Sequence, residues 1–137
     1  MKKIFLNVLM IILLQTCFAQ NYLPYYEAIN NAKVLIADSN YSEAFKTYNK
    51  TFKEYDAYTY DYIDAYTCAV NTGKYKCAKT FIYKAVKTGY DPKYIFDMLQ
   101  PQCKEIKYNK NKLKRLYKKY LHTIDIDYSV VVYLNCS

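Results

Sequence analysis

The residues able to move protons, hold a metal or act as nucleophiles are few and poorly spaced in this chain, which carries one histidine, five cysteines and twelve carboxylates among 137 residues. A zinc site gathers four His, Cys or carboxylate ligands. His122 stands alone, Cys68 and Cys77 are separated by eight residues, and Cys103 and Cys136 are remote, so no C-x-x-C metal or redox pair forms. His122 falls at what reads as a helix end, where a cation complements the dipole, a structural role rather than that of a general base. Asp56, Asp61 and Asp64 gather at the start of a predicted helix, where negative charge is favoured in any case. Any two carboxylates could form a glycosidase acid pair, but nothing in this spacing selects that chemistry. Gly73 and Gly89 are the only glycines, too few for a phosphate-cradling loop. These residues predict a non-catalytic protein with no metal and no cofactor.

The four cysteines after Cys17 leave a disulfide open. Cys68 and Cys77 are equidistant from the midpoint of Thr72-Gly73, so an antiparallel hairpin would bring them to one height. A bond forms only if both side chains point into the seam, and buried free thiols are the alternative. Cys103 with Cys136 would be the complementary pair.

The amino terminus reads as an address. Lys2 and Lys3 precede an apolar run from Ile4 to Leu14, and Cys17-Phe18-Ala19 is a small-x-small cleavage signal before Gln20. That is the plan of a secretory signal peptide over residues 1–19, and the run is short of the roughly 17–25 apolar residues that a membrane span needs. Leu14-Gln15-Thr16-Cys17 also resembles a bacterial lipobox, which would anchor the chain through a lipidated Cys17. Export to a periplasmic or secreted location is the expectation, with a lipoprotein as the second route and no transmembrane segment in the mature chain.

Beyond residue 19 there are eighteen basic and twelve acidic side chains. Residues 21–101 hold ten and nine of them, whereas 102–137 hold eight and three, so the excess positive charge belongs to the C-terminal quarter. Nineteen tyrosines, two glycines and three prolines favour long helices over a turn-rich β fold.

Self-comparison supplies the organisation. A shift of 34 aligns Ser39-Asn40-Tyr41-Ser42-Glu43-Ala44 with Gly73-Lys74-Tyr75-Lys76-Cys77-Ala78, and pairs Leu35 with Ala69, Ile36 with Val70, Tyr48 with Ile82 and Phe52 with Val86. Each copy reads as a helix, a tight polar turn and a second helix, with Gly73 as the left-handed cap in the second copy and Ser39 or Asn40 in the first. Over residues 25–91 this spacing resembles the tetratricopeptide repeat. The resemblance implies helical hairpins crossing at small residues, Ala44 and Ala78 first and Ala85 later. Tyr66 departs from the pattern, standing where the family has a small residue. The segment Val86 to Phe96 is similar to the link that follows the last hairpin in exported bacterial tetratricopeptide proteins.

About three hairpins are needed to close such an array, and residues 92–121 supply a diverged third. Tyr94, Ile95, Phe96, Met98 and Leu99 form a short helix between Pro92 and Pro101, and Leu113, Leu116, Tyr117, Tyr120 and Leu121 form the apolar stripe of the next. The expected architecture is all-α: a helical array over 20–121 and a tail over 122–137 that is β-branched but expected to be helical.

The resemblance implies a binding groove for a protein or peptide on the first helix of each pair, with Asn30, Lys33, Ala37, Asp64 and Thr67 as groove positions. A separate expectation comes from Lys110, Lys112, Lys114, Arg115, Lys118 and Lys119, a basic helix that could attach to an anionic envelope or membrane surface. No base-reading motif points to nucleic acid.

Overall fold

The computed structural model describes residues 22–99 and 103–135, and in them the chain is all helix and connecting turn. The signal-peptide expectation, Cys17, Pro101 and Cys136 lie outside the described residues. Helix α1 covers Leu23–Ala37, α2 Tyr41–Glu54, α3 Thr59–Asn71 and α4 Tyr75–Lys87; the short α5, Pro92–Tyr94, runs into a π-helical turn at Ile95–Leu99, and α6 covers Lys110–Asn135.

Helix starts follow local chemistry. The Asn40 side chain accepts from the Glu43 amide, Asp91 from the Lys93 amide at 2.8 Å and Asn109 from the Lys112 amide at 2.9 Å, each meeting an amide that a first turn leaves without a partner. Pro24 and Pro92 sit in first turns, where a missing N–H costs nothing. Each long helix then buries one stripe, such as Tyr25, Ile29 and Ala32 on α1, or Ala78, Phe81, Ile82, Ala85 and Val86 on α4.

Three helices end in the same way. After α1, the Asn40 amide reaches back to the Leu35 carbonyl at 2.8 Å and the Ser39 amide to Ile36 at 2.9 Å, with Ser39 left-handed at φ 59°. Thirty-four residues on, Lys74 reaches Ala69 and Gly73 reaches Val70; after α4, Tyr90 reaches Ala85 and Gly89 reaches Val86. This paired closure satisfies carbonyls that a helix end would leave unbonded, and it requires a residue at positive φ. Serine fills the first such position, at some conformational cost; glycine fills the other two.

Consecutive helices pack antiparallel, α1 on α2, α2 on α3 and α3 on α4, while α6 returns onto α4 and α5. The first helices α1 and α3 also touch. On the other side the rings of α2 and α4 meet, with Phe81 5.7 Å from Phe52 and 6.3 Å from Phe45. The array thus has a layer of first helices and a layer of second helices, with the core between them. Ala44, Ala65, Ala69, Ala78 and Ala85 are fully buried, as expected where helix backbones approach closely. Tyr66 fits at its small-residue position because the third hairpin gives way: α5 is brief, and the Tyr66 hydroxyl donates to the Leu99 carbonyl at the end of the π turn, 3.4 Å away.

Two sequence expectations need correction. His122 is not at a helix end, because α6 continues unbroken to Asn135, so no dipole argument applies to it. The α6 stripe is shorter than expected: Leu113 is buried and Leu116, Tyr117 and Tyr120 are half-buried, but Leu121 is exposed at the rim of an open concavity beside α5 and the π turn. Of the two states left open for Cys68 and Cys77, the structure has the free thiols. Height in the hairpin is shared, but direction is not: Cys68 is enclosed in the core near Tyr48 and Asp64, whereas Cys77 borders the outer groove between α2 and α4 with Phe52 and Phe81.

The two glycines differ in a measurable way. Gly73 has φ 68° and open space where a Cβ would stand, whereas Gly89 has φ 113° and a Cβ there would lie 2.8 Å from the Tyr120 Cε1 of α6 and closer still to its Cζ. Gly73→Ala is expected to cost about 1 kcal/mol, the ordinary left-handed penalty, and Gly89→Ala about 2–3 kcal/mol, because φ is worse and the Tyr120 ring must swing away. Urea unfolding of the two variants measures the difference; equal midpoints would show that α6 is not seated on the Gly89 turn.

Candidate functional site

The densest polar cluster lies where α1, α2 and α3 meet. Asp61, in the first turn of α3, is only 5% exposed, so its carboxylate needs partners within the protein. Tyr25 of α1 donates its hydroxyl to Asp61 Oδ2, and the Lys33 Nζ lies 3.2 Å from Oδ1. The same Tyr25 oxygen accepts from the Tyr58 amide at 3.2 Å, which closes the loop entering α3. One turn along α3, Asp64 Oδ2 lies 3.9 Å from Lys33 Nζ and accepts a long hydrogen bond from Tyr48 of α2, at 3.5 Å. Helical spacing of three puts both aspartates on one side of α3, and one lysine reaches both.

The electrostatics follow from burial. Desolvation, and then the Asp61 hydroxyl contact, raise the Tyr25 phenol above its ordinary range, and burial with the nearby Asp64 charge does the same to Tyr48. Both phenols therefore stay protonated as donors. Asp64 is raised as well, chiefly by burial and then, against the pull of Lys33, by Asp61. Burial and the Asp64 charge push the Cys68 thiol up to about 12, which leaves it an inert core group rather than a nucleophile. Among the described residues no three His, Cys, Asp or Glu side chains gather so as to hold a metal ion.

Of the expected groove positions, the structure brings Lys33 and Asp64 together. Asn30 and Ala37 are exposed on α1 outside the cluster, and the Thr67 hydroxyl donates to the Ile63 carbonyl of its own helix at 3.1 Å. The basic residues Lys110, Lys112, Lys114, Arg115, Lys118 and Lys119 are all exposed, with Lys110 seated 4.9 Å over the Phe96 ring and Lys112 4.7 Å over Tyr83.

Sequence reasoning missed the surface aromatics beside this cluster. Tyr26 on α1, Tyr60 on α3 and Tyr94 on α5 are 46%, 74% and 51% exposed. They occupy one register of three successive hairpins, since each is 34 residues after the last. Exposed Tyr58 stacks on Tyr26 at 6.3 Å and shares a 3.0 Å hydroxyl contact with it, and Tyr90 lies 6.1 Å from Tyr94. The same 34-residue shift that exposed the repeat would have revealed this set, had it been applied to solvent-facing positions as well as to the core.

Two measurements test the cluster. Tyr25→Phe removes the donor to buried Asp61 and the acceptor for the Tyr58 amide, and is expected to cost about 2–3 kcal/mol; exposed Tyr26→Phe should cost under about 0.5 kcal/mol. Denaturant melts compare the pair, and equal losses would show that the buried bond contributes nothing. For Asp64 the folded state holds the proton more tightly than the unfolded chain, so the stability it contributes is complete below the ordinary carboxylate value of 3.8 and is lost as pH rises through the raised folded value. Asp64→Asn should therefore flatten the fall in stability above that value in unfolding curves from acid to neutral pH; a steeper fall would mean that the Lys33 contact outweighs burial.

Comparison with known proteins finds no family model that matches the sequence, no curated protein similar to it and no similar solved structure.

Proposed function

We propose that this chain is a tetratricopeptide-like interaction module of the exported class, which binds a protein or peptide segment on its layer of first helices and performs no chemistry of its own. The observation that carries this reading is the repeated exposure of Tyr26, Tyr60 and Tyr94 on three successive hairpins. Tyrosine presents a large ring with a polar tip at low conformational cost, which suits it to contact surfaces that must also face water. Tyr26 and Tyr58 pack against Tyr25, whose hydroxyl bonds the Asp61 that Lys33 pairs with, so on the first two hairpins apolar contact and charge are linked through one side chain. The buried polar atoms of the cluster are spent on one another, which supports a positioning role for it rather than acid–base work. Residues 1–19 carry the export part of the reading.

A site-specific photocrosslinker tests the face. Placed at Tyr60 in cells that make the protein, it is expected to trap a discrete protein adduct, which weakens when Tyr26 and Tyr94 are changed to Ala; placed at Lys50 on α2 it should not trap that adduct. Equal adducts from both positions, or an adduct indifferent to Tyr26 and Tyr94, would remove the first-helix face as the docking site.

A further inference from the structure

Charge divides between the two layers. The first-helix layer, α1, α3 and α5 with its π turn, carries two lysines and four carboxylates, whereas α2, α4 and α6 carry thirteen cations and four carboxylates, two of those, Asp125 and Asp127, in the second half of α6. Three of the thirteen lie on α2, four on α4 and six on α6, so the excess is a property of the whole second layer rather than of its last helix alone. Folding creates this asymmetry, because α2 and α4 are interleaved in sequence with acidic α1 and α3.

Few cations of that layer have a carboxylate partner, although Lys84, Lys110 and Lys112 stand over rings, and Lys110, Lys114 and Lys118 share a concavity with Asp91 and Asp97. Among the described residues only Lys46 has a carboxylate within ion-pair distance, its neighbour Glu43 at 2.7 Å, while Lys33 of the first layer is held by two. Between α2 and α4 runs a shallow groove whose charged lining is Lys53, Lys76 and Lys84, flanked by Asn49 and Thr80 and without a carboxylate. Farther along, Arg115, Lys118, Lys119 and His122 line a second concavity on α6, again without a carboxylate among its described residues.

We propose that the face formed by α2, α4 and α6 is an electrostatic docking surface for a bilayer rich in anionic phospholipid, which leaves the tyrosine-bearing first-helix layer turned toward the aqueous side. The chemistry selects lipid among polyanions. Twelve of the thirteen cations are lysines, mobile point charges suited to a diffuse field of headgroups, and only Arg115 offers the fork that grips one phosphate in two bonds. Single-stranded nucleic acid binds on exposed aromatic platforms set within a basic groove; the rings of this groove, half-buried Phe52 and buried Phe81, pack edge to face on each other, and the most exposed rings, Tyr58 and Tyr60, lie on the opposite, acidic layer. No described helix is long and apolar enough to cross a membrane, so the contact is peripheral.

Vesicle co-sedimentation tests this with the full chain and with the chain starting at Gln20, using phosphatidylcholine alone and phosphatidylcholine with added phosphatidylglycerol. Binding of both chains is expected to gain a component that needs phosphatidylglycerol and fades as salt rises. Insertion of the apolar run Ile4 to Leu14 would show neither dependence. Joint reversal of exposed Lys50, Lys53 and Lys76 to Glu should weaken that component about tenfold or more, as should reversal of Lys112, Lys114 and Lys118, each with an unchanged helical melt; Glu27→Lys on the other layer should not weaken it. Binding indifferent to lipid charge overturns the proposal, as does loss on reversing α6 but not α2 and α4, or retention of single-stranded DNA by a protein that ignores the anionic vesicles.

Discussion

A carboxylate at 5% exposure constrains everything around it. Asp61 loses its water when α3 docks, and it is tolerated there because the Tyr25 hydroxyl and the Lys33 ammonium arrive from α1. Both partners come from the preceding hairpin, so the bond set forms only when the two hairpins stack in the observed register. Asp64 repeats the arrangement one turn on, with Tyr48 of α2 in place of Tyr25. Apolar packing drives the hairpins together, but alanine-rich crossings tolerate sliding; the polar cluster specifies how far along one another α1, α2 and α3 come to rest.

The same polar set links packing to surface. Tyr25 bonds the Tyr58 amide, Tyr58 stacks on Tyr26, and the Tyr26 ring stands at the water edge. Buried phenols and exposed phenols are thus neighbours on a continuous path, and the exposed ones inherit fixed positions from the buried ones. The aromatic edge is therefore held to the backbone by contacts within the core, which lowers the entropic loss when anything binds to it.

Alternation organises the charge as well. A hairpin array sends every first helix to one layer and every second helix to the other, so a modest bias along the sequence becomes a strong bias in space. Lysine ammonium groups stand over rings of the core, Lys74 at the start of α4 over Phe45 at 5.2 Å and Lys84 of α4 over Tyr62 at 5.5 Å. Covering the core and charging the surface are done by the same side chains.

The sequence alone determined the helical class, the 34-residue period, the left-handed caps at Gly73 and at Ser39 or Asn40, and the buried alanines, because all of these rest on local spacing and on backbone preferences of single residues. It also named Lys33 and Asp64 among five first-helix positions, Asn30, Ala37 and Thr67 being the others, since a repeat assigns such positions to one face. Only the tertiary structure decided that Asp61 joins them from the core side, that Cys68 and Cys77 point apart despite equal height, and that Leu121 is left exposed at the rim of the concavity beside α5. Each depends on side-chain direction against a neighbour distant in sequence. The layer-wide division of charge was likewise invisible along the chain, where acidic and basic helices alternate and nearly cancel from residue 21 to 101. The fold sorts them because each turn reverses the chain, and two reversals return it to the same side.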